Sequence, residues 1–405
     1  MRASILLVSI LVAQPLAAQR TPKPDQLQAP PAGWGAFTET FDRYSARDSI
    51  VGASIAMLHD GRVIARHEYG FSDRATAKRV DDATIFHYGS ITKTLTAISI
   101  MQLRDRGKLS LDDRVTSYIP ELRQVHDPYG SMDSIKIRML LSHSAGFQNP
   151  TWPYKQGKPW EPFEPTTWNQ LIAMMPYQEL LFKPGTRYSY SNPGFIYLGR
   201  IIEQLTGDPW ETYVQKNILS PLGLRHSYFG VTPYYLAADR SHNYTLLRDS
   251  SGREYVQDNG ADFDPGITIP NGGWNAPVGD LVTDLGFLTN ATHGDSVRQR
   301  LYDTVLKHSS LEELWQPVHP TGPASADASE SMGMSFFVER RGAATLIGHT
   351  GEQAGFISFM YLNPTTGSAI IAVFNTDSDL PARTGTSGKG PAFDMIREAA
   401  LKMIQ

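Results

Sequence analysis

The sequence predicts a mixed α/β fold in an α+β arrangement: an antiparallel sheet of about five strands flanked by helices, with an inserted, mainly helical subdomain. Three observations predict it. Strand signals lie near both ends of the chain, at residues 51–69 and again at 333–374. The first run is split by Asp60-Gly61, and Asp-Gly between β-rich segments favours a type I′ hairpin. Between the two ends, at about 115–330, short helical stretches alternate with loops rich in Pro, Gly and Trp. Strands joined by short links pair antiparallel, so the terminal portions are expected to share one sheet.

Residues 1–18 stand apart from this domain. Arg2 gives a positive start, residues 5–12 an almost wholly apolar run, and Pro15-Leu16-Ala17-Ala18 a small-residue exit. That is the pattern of a secretory signal peptide, too short to span a membrane, which takes about 20 apolar residues. Residues 19–33 hold Pro22, Pro24, Pro30 and Pro31 among polar neighbours and read as an extended linker. From 34 to 405 the chain reads as one domain. Phe37, Phe41 and Tyr44 recur at helical spacing, and residues 192–205 and 280–288 also read as helices. Strands return at 333–340, 345–349, 356–362 and 368–374, the last two joined by the turn Asn363-Pro364-Thr365-Thr366-Gly367. A last amphipathic helix is expected over 391–404, with Phe393, Ile396, Ala400 and Met403 on one face.

Composition narrows the classes of function. The 405 residues carry 37 Lys+Arg against 41 Asp+Glu, a formal charge of -4. That leaves no basic excess for nucleic acid and no acidic excess of the disordered kind. The chain has no Cys. It therefore offers no disulfide, thiolate nucleophile, cysteine zinc site or thiol for a lipid anchor. An exported protein without a stable membrane anchor is expected, free in a periplasm or medium, with a small-molecule or short-peptide substrate. Its oligomeric state is not written in the sequence.

The chemistry concentrates in three segments. Ser90-Ile91-Thr92-Lys93 opens a helix-length run, so Ser90 has the helix dipole and unpaired N–H groups beside it, and Lys93 lies on the same face. Such a Lys acts on the Ser hydroxyl only as a neutral amine, with its pKa lowered from about 10.4 by burial or charge. Taken alone, the spacing is also that of a capping Ser followed by a surface Lys. Tyr188-Ser189-Tyr190-Ser191-Asn192-Pro193-Gly194 places a phenol and an amide two residues apart before a helix, and Gly348-His349-Thr350-Gly351 ends a predicted strand.

In this order and at these separations, Ser90-x-x-Lys93, Tyr190-x-Asn192 and His349-Thr350-Gly351 resemble the serine β-lactamase and penicillin-binding-protein superfamily. The branch resembled is that of class C β-lactamases, D,D-carboxypeptidases, D-aminopeptidases and β-lactamase-like esterases. The segments around Leu141-Ser142-His143-Ser144-Ala145-Gly146, Phe182-Lys183-Pro184-Gly185 and Gly272-Gly273-Trp274 are similar to it too. The resemblance covers about residues 35–380. It implies a β-lactamase/transpeptidase-like fold and an acyl-enzyme formed on Ser90, with Lys93 and Tyr190 sharing proton transfer. A buried Lys⁺ would lower the Tyr190 pKa, and the phenolate would then take the Ser90 proton. It further implies that Asn192 binds the acyl-side amide of the substrate and that His349, Thr350 and Gly351 form the strand edge along which substrate lies. The oxyanion hole would be the backbone N–H groups of Ser90 and Glu352. No cofactor and no metal are implied.

His349 departs from class C β-lactamases, which have Lys there to meet a carboxylate; a mostly neutral imidazole holds an anion less strongly. This favours a D-amino-acid peptidase or broad hydrolase over a dedicated β-lactamase. A carboxylesterase and a non-catalytic binder of penicillin or peptidoglycan peptides are the alternatives. A Ser-His-Asp triad through His143 lacks the G-x-S-x-G elbow, since Ser142 stands two residues before Ser144. His87 is expected to pack rather than act as a base. Gly385-Thr386-Ser387-Gly388-Lys389-Gly390 looks like a phosphate loop, but Arg383 stands where its first Gly belongs, and a surface loop is expected. Trp152, Tyr154, Trp160, Trp168 and Tyr177 are expected mostly in the core, with one or two lining the cleft.

Overall fold

Asp60 and Gly61 turn the chain back on itself with φ of 48° and 68°, the left-handed pair a type I′ turn requires. Opposite them, His59 pairs with Arg62, so the expected hairpin forms with a two-residue turn. The computed structural model describes residues 30–147, 165–325, 327–378, 380 and 391–405. The signal-peptide expectation, most of the linker, Trp152, Tyr154, Trp160 and the loop at 385–390 lie outside these residues.

Nine strands form the main sheet among the described residues. In chain order they are β1 (Gly52–His59), β2 (Arg62–Asp73), β3 (Lys78–Arg79), β4 (His319–Pro320), β5 (Ala328–Met332), β6 (Phe337–Arg341), β7 (Ala344–Gln353), β8 (Phe356–Asn363) and β9 (Ser368–Phe374). Their spatial order is β3-β2-β1-β9-β8-β7-β6-β5-β4, antiparallel at every pairing. The two ends of the chain meet at the centre, where β1 pairs with β9 from Ala53↔Phe374 to His59↔Ser368. The sheet exceeds the expected five strands mainly at its edges. β3 and β4 have two residues each, too short to show a period of two in sequence.

Strand alternation sends two sets of side chains to two apolar layers. Ala53, Ile55, Met57, Phe359, Tyr361, Ile370, Ala372 and Phe374 pack with helices α1 (Trp34–Arg47) and α5 (Pro391–Lys402). Ala56, Leu58, Met360, Ile371 and Val373 face the larger core around α2 (Thr92–Asp105), α3 (Asn192–Thr206) and α4 (Val278–Leu288). The region between the sheet halves also holds strands that its composition does not announce. Asn243–Arg248 and Glu254–Gly260 join Thr376–Ser378 in one small sheet, and Ile85–His87, Trp274–Pro277 and Tyr228–Phe229 make another. Glu254–Gly260 reads Glu-Tyr-Val-Gln-Asp-Asn-Gly, with too few apolar residues for a visible alternation. Trp168 packs against the large core, whereas Tyr177 is 66% exposed.

Helix α2 is buried on every side from Thr92 to Leu103, although six of these twelve residues are polar. Each of these hydroxyls is satisfied inside the protein: Thr92 donates to Gly89 O, Thr94 to Ile91 O, Thr96 to Pro270 O and Ser99 to Leu95 O. This explains why the helix lacks an amphipathic stripe. Asp284 on α4 is the opposite case. It is fully buried, and neither carboxylate oxygen has a hydrogen-bond partner among the described residues. Burial pushes its pKa up to about 7. Between about pH 4 and 7 the folded chain then holds a proton the unfolded chain has lost, so stability falls as pH rises through that window. Asp284→Asn is expected to remove this slope and to stabilise the protein by on the order of 3 kcal/mol at pH 7.5, with little effect near pH 4. Urea unfolding of both proteins at the two pH values checks it; parallel pH profiles would show that Asp284 is ionised in the fold.

Candidate active site

A single 3₁₀ turn, Gly89–Ile91, leads into α2 and carries Ser90. Gly89 has φ of 50°, and the turn is tied from both sides. The Thr92 hydroxyl, donating to Gly89 O at 2.6 Å, accepts the Trp274 N–H at 3.0 Å. Ser358 on β8 donates to Tyr88 O at 3.0 Å. Strand β7 presses against the same turn, and two glycines permit it. A Cβ on Gly351 would lie 1.9 Å from Tyr88 O, and one on Gly89 would lie 2.7 Å from the Glu352 nitrogen. Only glycine fits either position, and the contact brings the Glu352 backbone against Gly89, the residue before Ser90.

Lys93 follows Ser90 by one turn of the helix. Its Nζ donates to Ser90 Oγ at 2.8 Å and to Asn271 O at 2.8 Å, and the residue has no exposed surface. The amine also lies 4.9 Å from the Tyr190 ring centre and 5.7 Å from that of Phe195. A surface Lys beside a capping Ser is therefore not what the chain builds. Burial drives the Lys93 pKa well below its usual value. Tyr190 is partly exposed, with the Ser90 side chain as a hydrogen-bond partner. Burial raises its pKa strongly, the bond to Ser90 acts the other way, and the charges of Tyr188 and Glu352 raise it further. Of the two expectations, a neutral Lys93 amine and a charged Lys93 beside a phenolate, burial favours the first. Low-dielectric surroundings favour the uncharged form of both groups, a neutral amine and a protonated phenol. Such a pair has a base within reach of the Ser90 proton and an acid beside it.

His143 supports Tyr190 from below. It is buried, its φ is 52°, and its Nδ1 accepts the Ser191 N–H at 2.9 Å. The ring stacks on Tyr190 with centres 4.3 Å apart and planes at 24°. Burial, with Lys93 and His349 close by, lowers its pKa well below the usual value, so it is a neutral platform. The flanking motifs also touch: Ser189 N donates to His143 O, Gly185 N to Ser144 O and Leu181 N to Gly146 O.

The structure places the other expected residues around this pair. Asn192 is the first residue of α3 and is partly exposed, after Ser191, which caps the helix by accepting the Gly194 N–H at 3.3 Å. His349, Thr350 and Gly351 lie on β7, paired with Met360, Phe359 and Ser358. Thr350 is partly exposed, while His349 is fully buried, its ring 6.3 Å from that of Tyr190 and 5.2 Å from that of Phe337. His87 is buried between Asn275 Oδ1 and Gln353 Oε1, at 2.9 and 3.1 Å, with its pKa lowered to about 4 by burial first and by the Arg240 charge next. It packs, as expected. Among the described residues one group of side chains could gather a metal ion, Asp73, His242 and Asp258, and it includes none of these site residues.

Three contributors escaped the sequence reading. Asn271 offers a backbone carbonyl to Lys93, and no side-chain pattern signals that. Ser358 lies in an otherwise apolar strand, and Thr92 inside the Ser-x-x-Lys motif looks like filler. Gly273 beside Trp274 was visible as a motif, and its reason is now apparent: a Cβ there would lie 2.8 Å from the Ile269 Cα.

The family model described as beta-lactamase matches residues 37–387. The chain belongs to the beta-lactamase family. The matched segment contains all three motifs, at Ser90, Tyr190 and His349. Among curated relatives, protein flp of Staphylococcus aureus (strain COL) is 24% identical over 332 residues, covering 82% of this chain and 60% of that protein. The chain thus spans about three-fifths of the length of the relatives it matches first. Among solved structures, the octameric penicillin-binding protein homologue from Pyrococcus abyssi has a TM-score of 0.71 at 26% identity, covering 91% of this chain and 77% of that one. The D-amino acid amidase from Ochrobactrum anthropi SV3 has the same TM-score, 0.71, at 20% identity, covering 91% of this chain and 97% of that one. Within the family fold, no helix of the described residues is long and apolar enough to cross a membrane.

Proposed function

We propose that this protein is an exported serine hydrolase that cleaves amide or ester bonds of small substrates through an acyl-enzyme on Ser90. The observation that carries the reading is the 2.8 Å contact from a fully buried Lys93 amine to Ser90 Oγ. In the proposed cycle, Ser90 Oγ attacks the substrate carbonyl carbon while Lys93 takes its proton. The carbonyl oxygen becomes an oxyanion held by the N–H groups of Ser90 and Glu352. Tyr190 gives its proton to the leaving nitrogen or oxygen as that bond breaks, and Lys93 returns a proton to Tyr190. Water then attacks the Ser90 ester with the same groups acting in reverse order. Asn192 and the His349-Thr350-Gly351 edge align the acyl portion. Residues 1–18 would direct export.

D-Amino-acid amides and peptides are the substrates this reading favours, supported by the likeness to D-amino acid amidase and by His in place of Lys at position 349. The test is hydrolysis of D- and L-phenylalanine p-nitroanilide, with p-nitrophenyl butyrate and a penicillin in parallel. Preference for the D enantiomer by about tenfold or more is expected. Turnover of the butyrate alone would move the assignment to an esterase, and hydrolysis of the penicillin alone to a β-lactamase.

A further inference from the structure

Asn271, whose carbonyl receives the Lys93 amine at 2.8 Å, is followed by two glycines, Gly272 and Gly273. A neutral amine turns easily about its Cε–Nζ bond. An N–H held by that carbonyl stops the rotation and leaves the nitrogen lone pair for Ser90 Oγ. The carbonyl must therefore stay in place, yet a glycine pair is the least restrained backbone a chain can put beside it. Asn275 and His87 bond the pair from outside. Asn275 Nδ2 donates to Gly273 O at 3.2 Å, and Asn275 Oδ1 lies 2.9 Å from His87 Nδ1. The Gly272 backbone is a further hydrogen-bond partner of the His87 ring.

His87 is well placed to hold this segment. It ends the strand Ile85–His87, directly across from Asn275, and the pairing continues in Tyr88 N–H donating to Trp274 O at 2.9 Å. Ser90 follows two residues after Tyr88. The buried ring is packed by Phe263 and Phe356, with centres 4.8 and 6.0 Å from its own, and burial together with the Arg240 charge keeps it neutral. Its Nε2 meets Gln353 Oε1 at 3.1 Å, and Gln353, the last residue of β7, donates to Thr268 Oγ1 at 3.2 Å. One ring thus ties together the strand leading to Ser90, the segment that carries the Lys93 acceptor and the end of β7.

We propose that His87 is a positioning residue: through Asn275 and the Gly272-Gly273 pair it fixes the Asn271 carbonyl that orients Lys93, and so sets how fast Ser90 attacks. The inference rests on the Ser90 acyl-enzyme reading. His87 acts through other groups and takes no proton in the cycle.

The experiment follows labelling of Ser90 by a fluorophosphonate, as the maximal rate kinact and the half-saturating concentration KI, beside the melting temperature. Wild type, His87→Phe, Asn275→Ala and the double variant are compared. His87→Phe keeps an aromatic ring between Phe263 and Phe356 and removes both nitrogens. Its kinact should fall about tenfold or more, with KI changed by less than about threefold, and Asn275→Ala should show the same split with a similar or smaller loss. The double variant should lose clearly less than the product of the single effects, because both act on one carbonyl. His87→Asn, which keeps an amide facing Asn275, should recover most of the rate. An unchanged kinact in His87→Phe overturns the proposal even where the melting temperature drops, as does a double variant whose loss equals the product. Should His87→Phe not fold, an unchanged kinact in Asn275→Ala overturns it equally. Each of these results, with the wild-type label confined to Ser90, leaves the acyl-enzyme reading standing. A wild type that is not labelled at Ser90 overturns that reading and this inference together.

Discussion

Ser90→Ala is expected to lower kcat/KM on any hydrolysed substrate by about ten-thousand-fold or more, and to abolish covalent labelling. The size follows from what the side chain is. No other hydroxyl shares its position: Ser90 Oγ receives the Lys93 amine at 2.8 Å, shares a hydrogen bond with Tyr190, and lies on the turn that β7 pins through Gly89 and Gly351. A water molecule in its place would still find the oxyanion donors, which is why some residual rate is expected. The fold should be untouched, because the 3₁₀ turn is held by Thr92, Trp274 and Ser358 and not by Ser90. The direct measurement is intact mass after incubation with a penicillin, for wild type beside Ser90→Ala. A lasting adduct on the wild type alone identifies the nucleophile and means slow deacylation. An adduct on both proteins would place the nucleophile elsewhere.

Much of this site was legible in the sequence because it is carried by side chains at fixed spacing on single elements. Ser90 and Lys93 are one helical turn apart, Tyr190 and Asn192 flank a helix start, and His349-Thr350-Gly351 sits on one strand. The Asp60-Gly61 turn and the β7 to β9 strands were equally plain, since each element shows its own period. What escaped is whatever depends on two distant segments meeting. The Asn271 carbonyl that receives Lys93 has no side-chain signature, and the burial of α2 hides behind threonines and a serine whose hydroxyls are satisfied inside the fold, that of Thr96 by the distant Pro270 carbonyl. The charge states were half legible. The spacing asked for a neutral Lys93 amine and the resemblance implied a Lys⁺ beside a phenolate; desolvation, which only the folded surroundings supply, favours the neutral pair.

That charge state leads to the second large effect. Lys93→Met is expected to lower kcat/KM by about a thousand-fold or more, since the base nearest Ser90 is lost while the donors to the carbonyl oxygen remain. A drop this large would also follow if Lys93 were a charged group stabilising a Tyr190 phenolate, so activity alone does not separate the two. Stability against pH does. With its folded pKa depressed, Lys93 is neutral in the fold over a range where the unfolded chain, with a pKa of about 10.4, holds the proton. Wild-type stability should therefore rise with pH across that window, and Lys93→Met should lack that component. The difference in unfolding free energy, mutant minus wild type, is expected to grow as pH falls from about 10 toward neutrality. In step with this, wild-type kcat/KM should fall on the acid side as pH drops through the lowered Lys93 value. A difference that stays constant with pH would mean that Lys93 keeps its proton in the fold. The base would then be the Tyr190 phenolate, and Tyr190→Phe would have to cost as much as Lys93→Met.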